Sequence, residues 1–202
     1  MDQFKEIKEA LIATGRPGIE GLIAYLEASD FTKAPASTRY HNNFEGGLLG
    51  HTYNVWKCAE RLAGSLPARP GGINLTPIMI AAICHDLSKI FSYKKGYRNR
   101  KDKYGNWEKY EVYEQDENPA GNLMAAPALP LGHAAASIEI AERYIKLEPI
   151  EKIMIANHMG AIGVGFQQMQ EVNDAFRKHP EAVILHLADM QASYILEEVR
   201  NA

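Results

Sequence analysis

The chain has 202 residues, 46% of them hydrophobic, and its 22 basic and 25 acidic side chains leave a formal net charge of −3. That composition is enough for a substantial core, and its mild acidity excludes a general electrostatic pull toward nucleic acid, so any nucleotide contact has to be local. Cys58 and Cys84 both fall inside apolar helical patterns, which fits buried free thiols and neither a disulfide framework nor a zinc finger.

No apolar run approaches the roughly 18 to 20 residues of a membrane span, and the opening Met1-Asp2-Gln3-Phe4-Lys5-Glu6 lacks the basic-then-apolar order of a leader. A cytoplasmic protein without membrane contact is the expectation. Residues 2–14 place Phe4, Ile7, Leu11 and Ile12 at helical spacing up to Gly15. After the turn at Arg16-Pro17-Gly18, a short helix is expected from about Ile19 to Ala28, with Leu22, Ile23 and Leu26 inward. Asp30 to Asn43 is polar and aperiodic and reads as a loop that covers or leads into something.

Gly46-Gly47 precedes a long helix in which Val55, Trp56, Ala59, Leu62 and Ala63 keep helical spacing to Gly64, so His51 lies in its first turns. A loop with Pro67, Pro70, Gly71 and Gly72 leads to a second apolar helix, expected over 75–90. That helix carries His85, Asp86 and, one turn later, Lys89. Buried ionisable groups are costly unless paired or bound to metal, so these residues require partners.

Beyond Phe91 aromatics alternate along Tyr93 to Glu114, and Tyr104-Gly105-Asn106 suits a turn, so a two-stranded hairpin is expected over about 93–116. The first arm is expected to carry seven basic side chains, from Lys94 to Lys109, and Glu111 to Glu117 is acidic. Either these charges pair across the strands or the hairpin is a flap that contacts substrate. Asn118 to Pro130 reads as a loop. Leu131-Gly132-His133 opens a helix through Ile145, and another runs from near Pro149 to His158-Met159-Gly160. Gly160 to Gly165 lacks the pattern of a dinucleotide fingerprint and reads as a loop. The last helix starts at Pro180 and runs to Leu196, with Asp189 inside its apolar pattern.

Separate helices therefore present His51, His85 with Asp86, His133 or His158, and Asp189. Imidazole and carboxylate together suit zinc, iron, manganese, cobalt or nickel, and the lack of thiolate pairs argues against structural zinc. Lys89 suits holding a phosphate oxygen, or else complements a helix C-terminus. Arg98 and Arg100 suit further phosphates or cross-strand ion pairs. His186 shares a helix face with Asp189, as a supporting partner or a core histidine; His41 either approaches substrate or is solvated; His179 marks a helix boundary.

The segments Gly-Gly-Leu-Leu-Gly-His51-Thr, Ile-Cys-His85-Asp86-Leu-Ser-Lys89-Ile, Leu-Gly-His133, Asn-His158-Met-Gly and Leu-His-Leu-Ala-Asp189 span residues 46–194. They resemble the HD-domain phosphohydrolases, whose pattern is His, then His-Asp, then a terminal Asp on bundle helices. The opening is similar to the branch with bacterial 3′-to-5′ exoribonucleases, and the hairpin followed by Pro-Leu-Gly-His is similar to uncharacterised phage and bacterial members. The resemblance implies an all-α HD-type bundle with an inserted β-hairpin as a single domain over 1–202, in which 1–45 form N-terminal helices and a lead-in loop and 46–202 the metal-binding core. It implies two divalent transition-metal ions, one held by His51, His85, Asp86 and Asp189, the other by His133 and His158 with Asp86 as the bridge. Ser88 stands where most relatives have Gly.

Such a site would hydrolyse a phosphoester of a nucleotide or short oligonucleotide by a metal-bridged hydroxide, with Asp86 and Lys89 as catalytic residues and Lys89, Arg98 and Arg100 on the substrate. Within that class the choice is between a phosphomonoesterase or nucleoside polyphosphate hydrolase and a phosphodiesterase or exonuclease, and the absent nucleic-acid-binding domain with the mild acidity points to a small phosphorylated substrate over long nucleic acid. The alternatives are a 3′-to-5′ exonuclease or phosphodiesterase, a metal-dependent nucleotide-binding or sensing module without turnover, and a helical protein with scattered histidines.

Overall fold

The computed structural model describes residues 2–66, 72–116, 132–163 and 165–200. Helix α1 (Gln3–Ala13) begins where the Asp2 carboxylate accepts the Lys5 N–H, and α2 (Ile19–Ala28) follows Gly18. Gly18 is required twice over. Its φ is +88°, and a Cβ there would lie 1.9 Å from the Tyr144 carbonyl oxygen, so this turn presses directly on the main chain at Tyr144. Ile7 and Leu11 of α1 and Leu22 and Leu26 of α2 are fully buried against the bundle.

Helix α3 (Gly47–Ser65) is the central element: it packs against α1, against α4 (Leu75–Cys84) and against α8 (Pro180–Gln191). Its start fixes the preceding loop. A Cβ on Gly47 would lie 1.9 Å from the Asn42 carbonyl oxygen, so only glycine lets the loop pass this close, and that passage brings His41 beside His51. Asn74 caps α4 by accepting the Thr76 N–H, and every side chain from Pro77 to Cys84 is buried. Burial on all sides explains why this apolar run has no polar face.

The helix expected over 75–90 stops at Cys84. The chain turns at His85 and Asp86 and closes a single 3₁₀ turn at Leu87–Lys89. Successive residues of a continuous helix point about 100° apart, so the turn allows His85 and Asp86 to face one site. It is anchored by Ser137 of α5 (His133–Glu142), whose hydroxyl accepts the Ser88 N–H at 3.1 Å and donates to the Ser88 hydroxyl.

Strands β1 (Tyr93–Lys101) and β2 (Trp107–Gln115) form the expected antiparallel hairpin, with Tyr93 opposite Gln115 and Arg98 opposite Tyr110. The turn contains Gly105 at φ +87° and is held by the Asp102 carboxylate, which accepts the N–H groups of Tyr104 and Asn106. Opposite charges pair across it, with Lys95 at 3.1 Å from Glu111 and Arg100 at 2.6 Å from Glu108. Lys109 belongs to β2, so the basic side chains are not confined to the first arm. The loop expected over Asn118 to Pro130 lies outside the described residues.

Helix α6 (Pro149–Asn157) packs on α4, α5 and α8. Helix α7 (Phe166–Lys178) was not expected; only Val172 on it is buried, although Phe166, Met169, Val172 and Phe176 do follow helical spacing. Helix α8 ends at Gln191 and passes into a wider π-type turn at Ala192–Leu196. The tail beyond it is tied to the lead-in loop, where Asn42 N–H donates to the Glu198 carbonyl and Arg200 N–H to the Asn43 side chain. Among the described residues no helix is long and apolar enough to cross a membrane.

Candidate metal centre

Six side chains from α3, the turn after α4, α5, the end of α6, and α8 converge on one carboxylate. The Asp86 side chain is 2% exposed, and its two oxygens face different groups. Oδ2 lies 3.2 Å from His85 Nε2, 3.4 Å from His51 Nε2 and 2.7 Å from Lys89 Nζ. Oδ1 lies 3.7 Å from His133 Nε2 and 4.0 Å from His158 Nε2, and has no hydrogen-bond partner among the described residues. Asp189 completes the first side, with Oδ1 at 3.4 Å from His51 Nε2.

The orientation of the rings decides what this arrangement can hold. His85 Nδ1 donates to the Ala82 carbonyl at 2.7 Å, and His158 Nδ1 donates to the Ile155 carbonyl at 2.7 Å. Each bond follows from position: both histidines cap a helix end, which puts the ring within reach of the carbonyl three residues back, and the Ile155 carbonyl also accepts the His158 main-chain N–H. His51 Nδ1 faces both oxygens of Glu197 at 3.1 Å. A neutral imidazole carries one N–H, so a proton committed at Nδ1 leaves a lone pair at Nε2. The Nε2 atoms of His51 and His85 are 3.2 Å apart, and those of His133 and His158 are 2.9 Å apart. The lone pairs of His51 and His85, aimed at one another beside two carboxylates, repel unless a positive charge sits between them, and His158 offers a lone pair to which His133 Nε2 can donate. The donor set and its convergence therefore fit divalent transition ions, with no thiolate involved.

The titration behaviour has the same origin. Burial works against charge at His51, but Asp86 and Glu197 outweigh it and raise its pKa to about 9. Burial also opposes ionisation of Asp86, yet Lys89 and the imidazoles hold its pKa well below the usual carboxylate value. His158, buried beside His85, is lowered to about 4 and stays a neutral donor.

The structure thus brings together His51, His85, Asp86, His133, His158, Asp189 and Lys89. Lys89 is neither a solvated helix-end lysine nor free in the cavity, since its ammonium is bonded to Asp86. Arg98 and Arg100 are placed elsewhere: Arg100 pairs with Glu108, Arg98 lies 3.7 Å from Glu114, and neither lines the cavity above the cluster. His186 does not support Asp189; its Nδ1 donates to the His158 main-chain carbonyl at 2.7 Å and so braces the end of α6. His41 stacks on His51 with ring centroids 4.7 Å apart, and burial lowers its pKa to about 4.

Sequence reasoning missed Glu197. Its carboxylate is 1% exposed, accepts from Asn54 Nδ2 at 3.1 Å as well as from His51, and sets the His51 tautomer. Nothing in Glu197-Glu198-Val199-Arg200 distinguishes it from a solvated tail.

A cavity of about 450 Å³ opens above the cluster. Asp86, Lys89, His133, His158 and Asp189 lie on its floor, and Met159, Ile162, Met190 and Tyr194 form an apolar side. The arrangement offers a cation-binding floor and a wall suited to a flat apolar group.

The family model of the HD domain matches residues 48–191. Among curated proteins, the chain is 30% identical over 130 residues to a dihydroneopterin 2′,3′-cyclic phosphate phosphodiesterase of Methanocaldococcus jannaschii, covering 63% of this chain and 43% of that one. It is 28% identical over 92 residues to the 3′-5′ exoribonuclease YhaM of a Geobacillus species, covering 44% of this chain and 27% of that one. The chain spans less than half the length of these relatives. No solved structure matches it significantly. With the family model covering most of the chain and ending two residues beyond Asp189, the chain belongs to the HD domain family.

Proposed function

We propose that this chain is a metal-dependent phosphohydrolase that cleaves a phosphodiester bond in a nucleotide or short oligonucleotide. The observation that carries the reading is Asp86, one carboxylate whose two oxygens face two separate sets of imidazole nitrogens on the floor of an open cavity. In this reading His51, His85, Asp86 and Asp189 hold one divalent ion, and His133 and His158 with Asp86 hold a second. Bound there, such ions supply Lewis acidity that lowers the pKa of water and neutralises charge on a phosphoryl group.

The chain's own residues do the rest. Glu197, Ala82 and Ile155 fix the three Nδ1 protons, so the donor atoms are oriented before anything binds. Lys89 brings an ammonium to the cavity floor, where it holds a phosphoryl oxygen as a point charge. Met159, Ile162, Met190 and Tyr194 offer an apolar face for a base or similar ring. A diester is favoured over a monoester because the two relatives are named for a phosphodiesterase and an exoribonuclease activity.

The test is turnover of bis(p-nitrophenyl) phosphate and of p-nitrophenyl phosphate with added manganese, in the parent and in Asp86→Ala. The expected result is hydrolysis of the diester in preference to the monoester, lost in the variant. Absence of turnover with any first-row divalent ion, together with retained nucleotide binding, would instead identify a sensing module.

A further inference from the structure

A second cavity, of about 280 Å³, lies on the far side of the loop that carries His41. Arg39, Arg98 and Arg200 line it together with Tyr110 and Tyr113. Three separate segments, the lead-in loop, β1 and the C-terminal tail, therefore each bring an arginine to the lining of one cavity. Thr38 lines both cavities, while Tyr40 and Val199 line the metal cavity and their chain neighbours Arg39 and Arg200 line the second. The wall between the two is thus one layer of chain, tied together by the Asn42 and Asn43 bonds to the tail. The hairpin runs along both, with Tyr93 and Gln115 at the first cavity and Arg98 and Tyr110 at the second.

Of the charged side chains that line the second cavity, three are basic and one is acidic. Glu111 also lines it but is paired with Lys95, 3.1 Å away. Arg98 is only loosely engaged by Glu114 at 3.7 Å, and Arg200 is bonded to Glu198. Arg39 is exposed and makes no ion pair among the described residues. Guanidinium groups repel one another at close range, and their planar donor forks match phosphate oxygens. Tyr110 lies opposite Arg98, on the same face of the hairpin, and supplies a ring on which a base can stack. A ligand whose phosphate sits at the metal cluster reaches the second cavity only by continuing over the ridge at Thr38 and Tyr40, where the Tyr40 side chain is 72% exposed. A backbone with repeated phosphates has that form; a mononucleotide does not.

We propose that this cavity is a phosphate subsite for the backbone of a single-stranded oligonucleotide whose scissile bond lies at the metal cluster. The inference rests on the phosphohydrolase reading and narrows it, from nucleotides in general to oligonucleotides. It also gives the hairpin a role that its cross-strand ion pairs alone do not show, as a rail along both cavities.

The test compares the parent with Arg39→Ala/Arg98→Ala on two substrates, a pentaribonucleotide and bis(p-nitrophenyl) phosphate, with manganese present. The ratio of kcat/KM for the oligonucleotide to that for the aryl ester is expected to fall roughly tenfold through KM, as lost charge-assisted phosphate contacts require. An unchanged ratio would overturn the subsite. Anisotropy of a fluorescein-labelled pentaribonucleotide in chelator reads binding without turnover: the variant should bind roughly tenfold more weakly, with a log–log salt slope shallower by about 1. Equal affinity and slope would overturn the proposal. If neither substrate is hydrolysed, the phosphohydrolase reading fails, and the anisotropy alone then decides the subsite.

Discussion

Two buried polar clusters sit in the same helical bundle and are built on opposite electrostatic plans. In the first, Arg16 from the α1–α2 turn reaches α6, where its guanidinium bonds Glu151 at 2.6 Å and Glu148 at 3.1 Å. Glu151 is fully buried and also accepts the Glu148 N–H, so it caps α6 while it neutralises Arg16. The Glu151 hydrogen bond raises the Arg16 pKa despite burial. This cluster carries its own counter-charge, although Glu151 Oε1 has no hydrogen-bond partner among the described residues. In the second, around Asp86, two carboxylates and a ring of imidazole lone pairs face inward with Lys89 as the ammonium among them. A cluster that carries its own counter-charge is a fastening; one that points its lone pairs at a common space is a site.

The comparison is broken most sharply by removing one member from each. Asp86→Ala should abolish turnover, by more than about a hundredfold, and release both ions, since the same carboxylate faces both sets of donors; metal content and rate are measured together. Arg16→Ala should leave metal stoichiometry intact and destabilise the fold by about 3 kcal/mol, because a buried carboxylate loses its partner; urea unfolding checks it. If Arg16→Ala released the metals, or Asp86→Ala kept them, the division between fastening and site would fail.

Smaller effects sharpen the same division. Glu197→Gln keeps the shape but removes the charge that orients His51, and should weaken metal binding about tenfold without unfolding the chain, as read by titration against a chelating dye. Cys84 tests the core between the clusters: burial pushes its thiol up to about 12 and raises Cys58 as well, so no thiolate forms near neutral pH. Native protein should react with a thiol reagent at pH 8 only as fast as it unfolds, and free reaction would contradict the packing of α3 on α4.

How much of this could be read from the sequence depended on whether the signal was local. Helix α2 and both hairpin strands follow from periodicity and turn residues, and the ligand candidates stand out because an imidazole or carboxylate in an apolar run needs a partner. The end of α4 at Cys84 was not legible, since the turn at Asp86 is held by Ser137, distant in sequence, and nothing in Leu87-Ser88-Lys89 breaks a helix. Helix α7 was passed over because it buries little more than Val172. Glu197 depends on tertiary contact, which spacing along one chain does not reveal, whereas a cross-strand ion pair is one of the two sequence readings for Arg100 and only its partner, Glu108, waits on the strand register. The same holds for Arg39 and Arg200, which meet only through the fold.

The central claim is that the inward-facing lone pairs around Asp86 exist to hold cations, and metal quantification on purified protein tests it most directly. After dialysis against manganese or cobalt, two ions per chain are expected in the parent and a loss of both in Asp86→Ala. A parent that retains no stoichiometric transition metal under any loading condition would contradict the account.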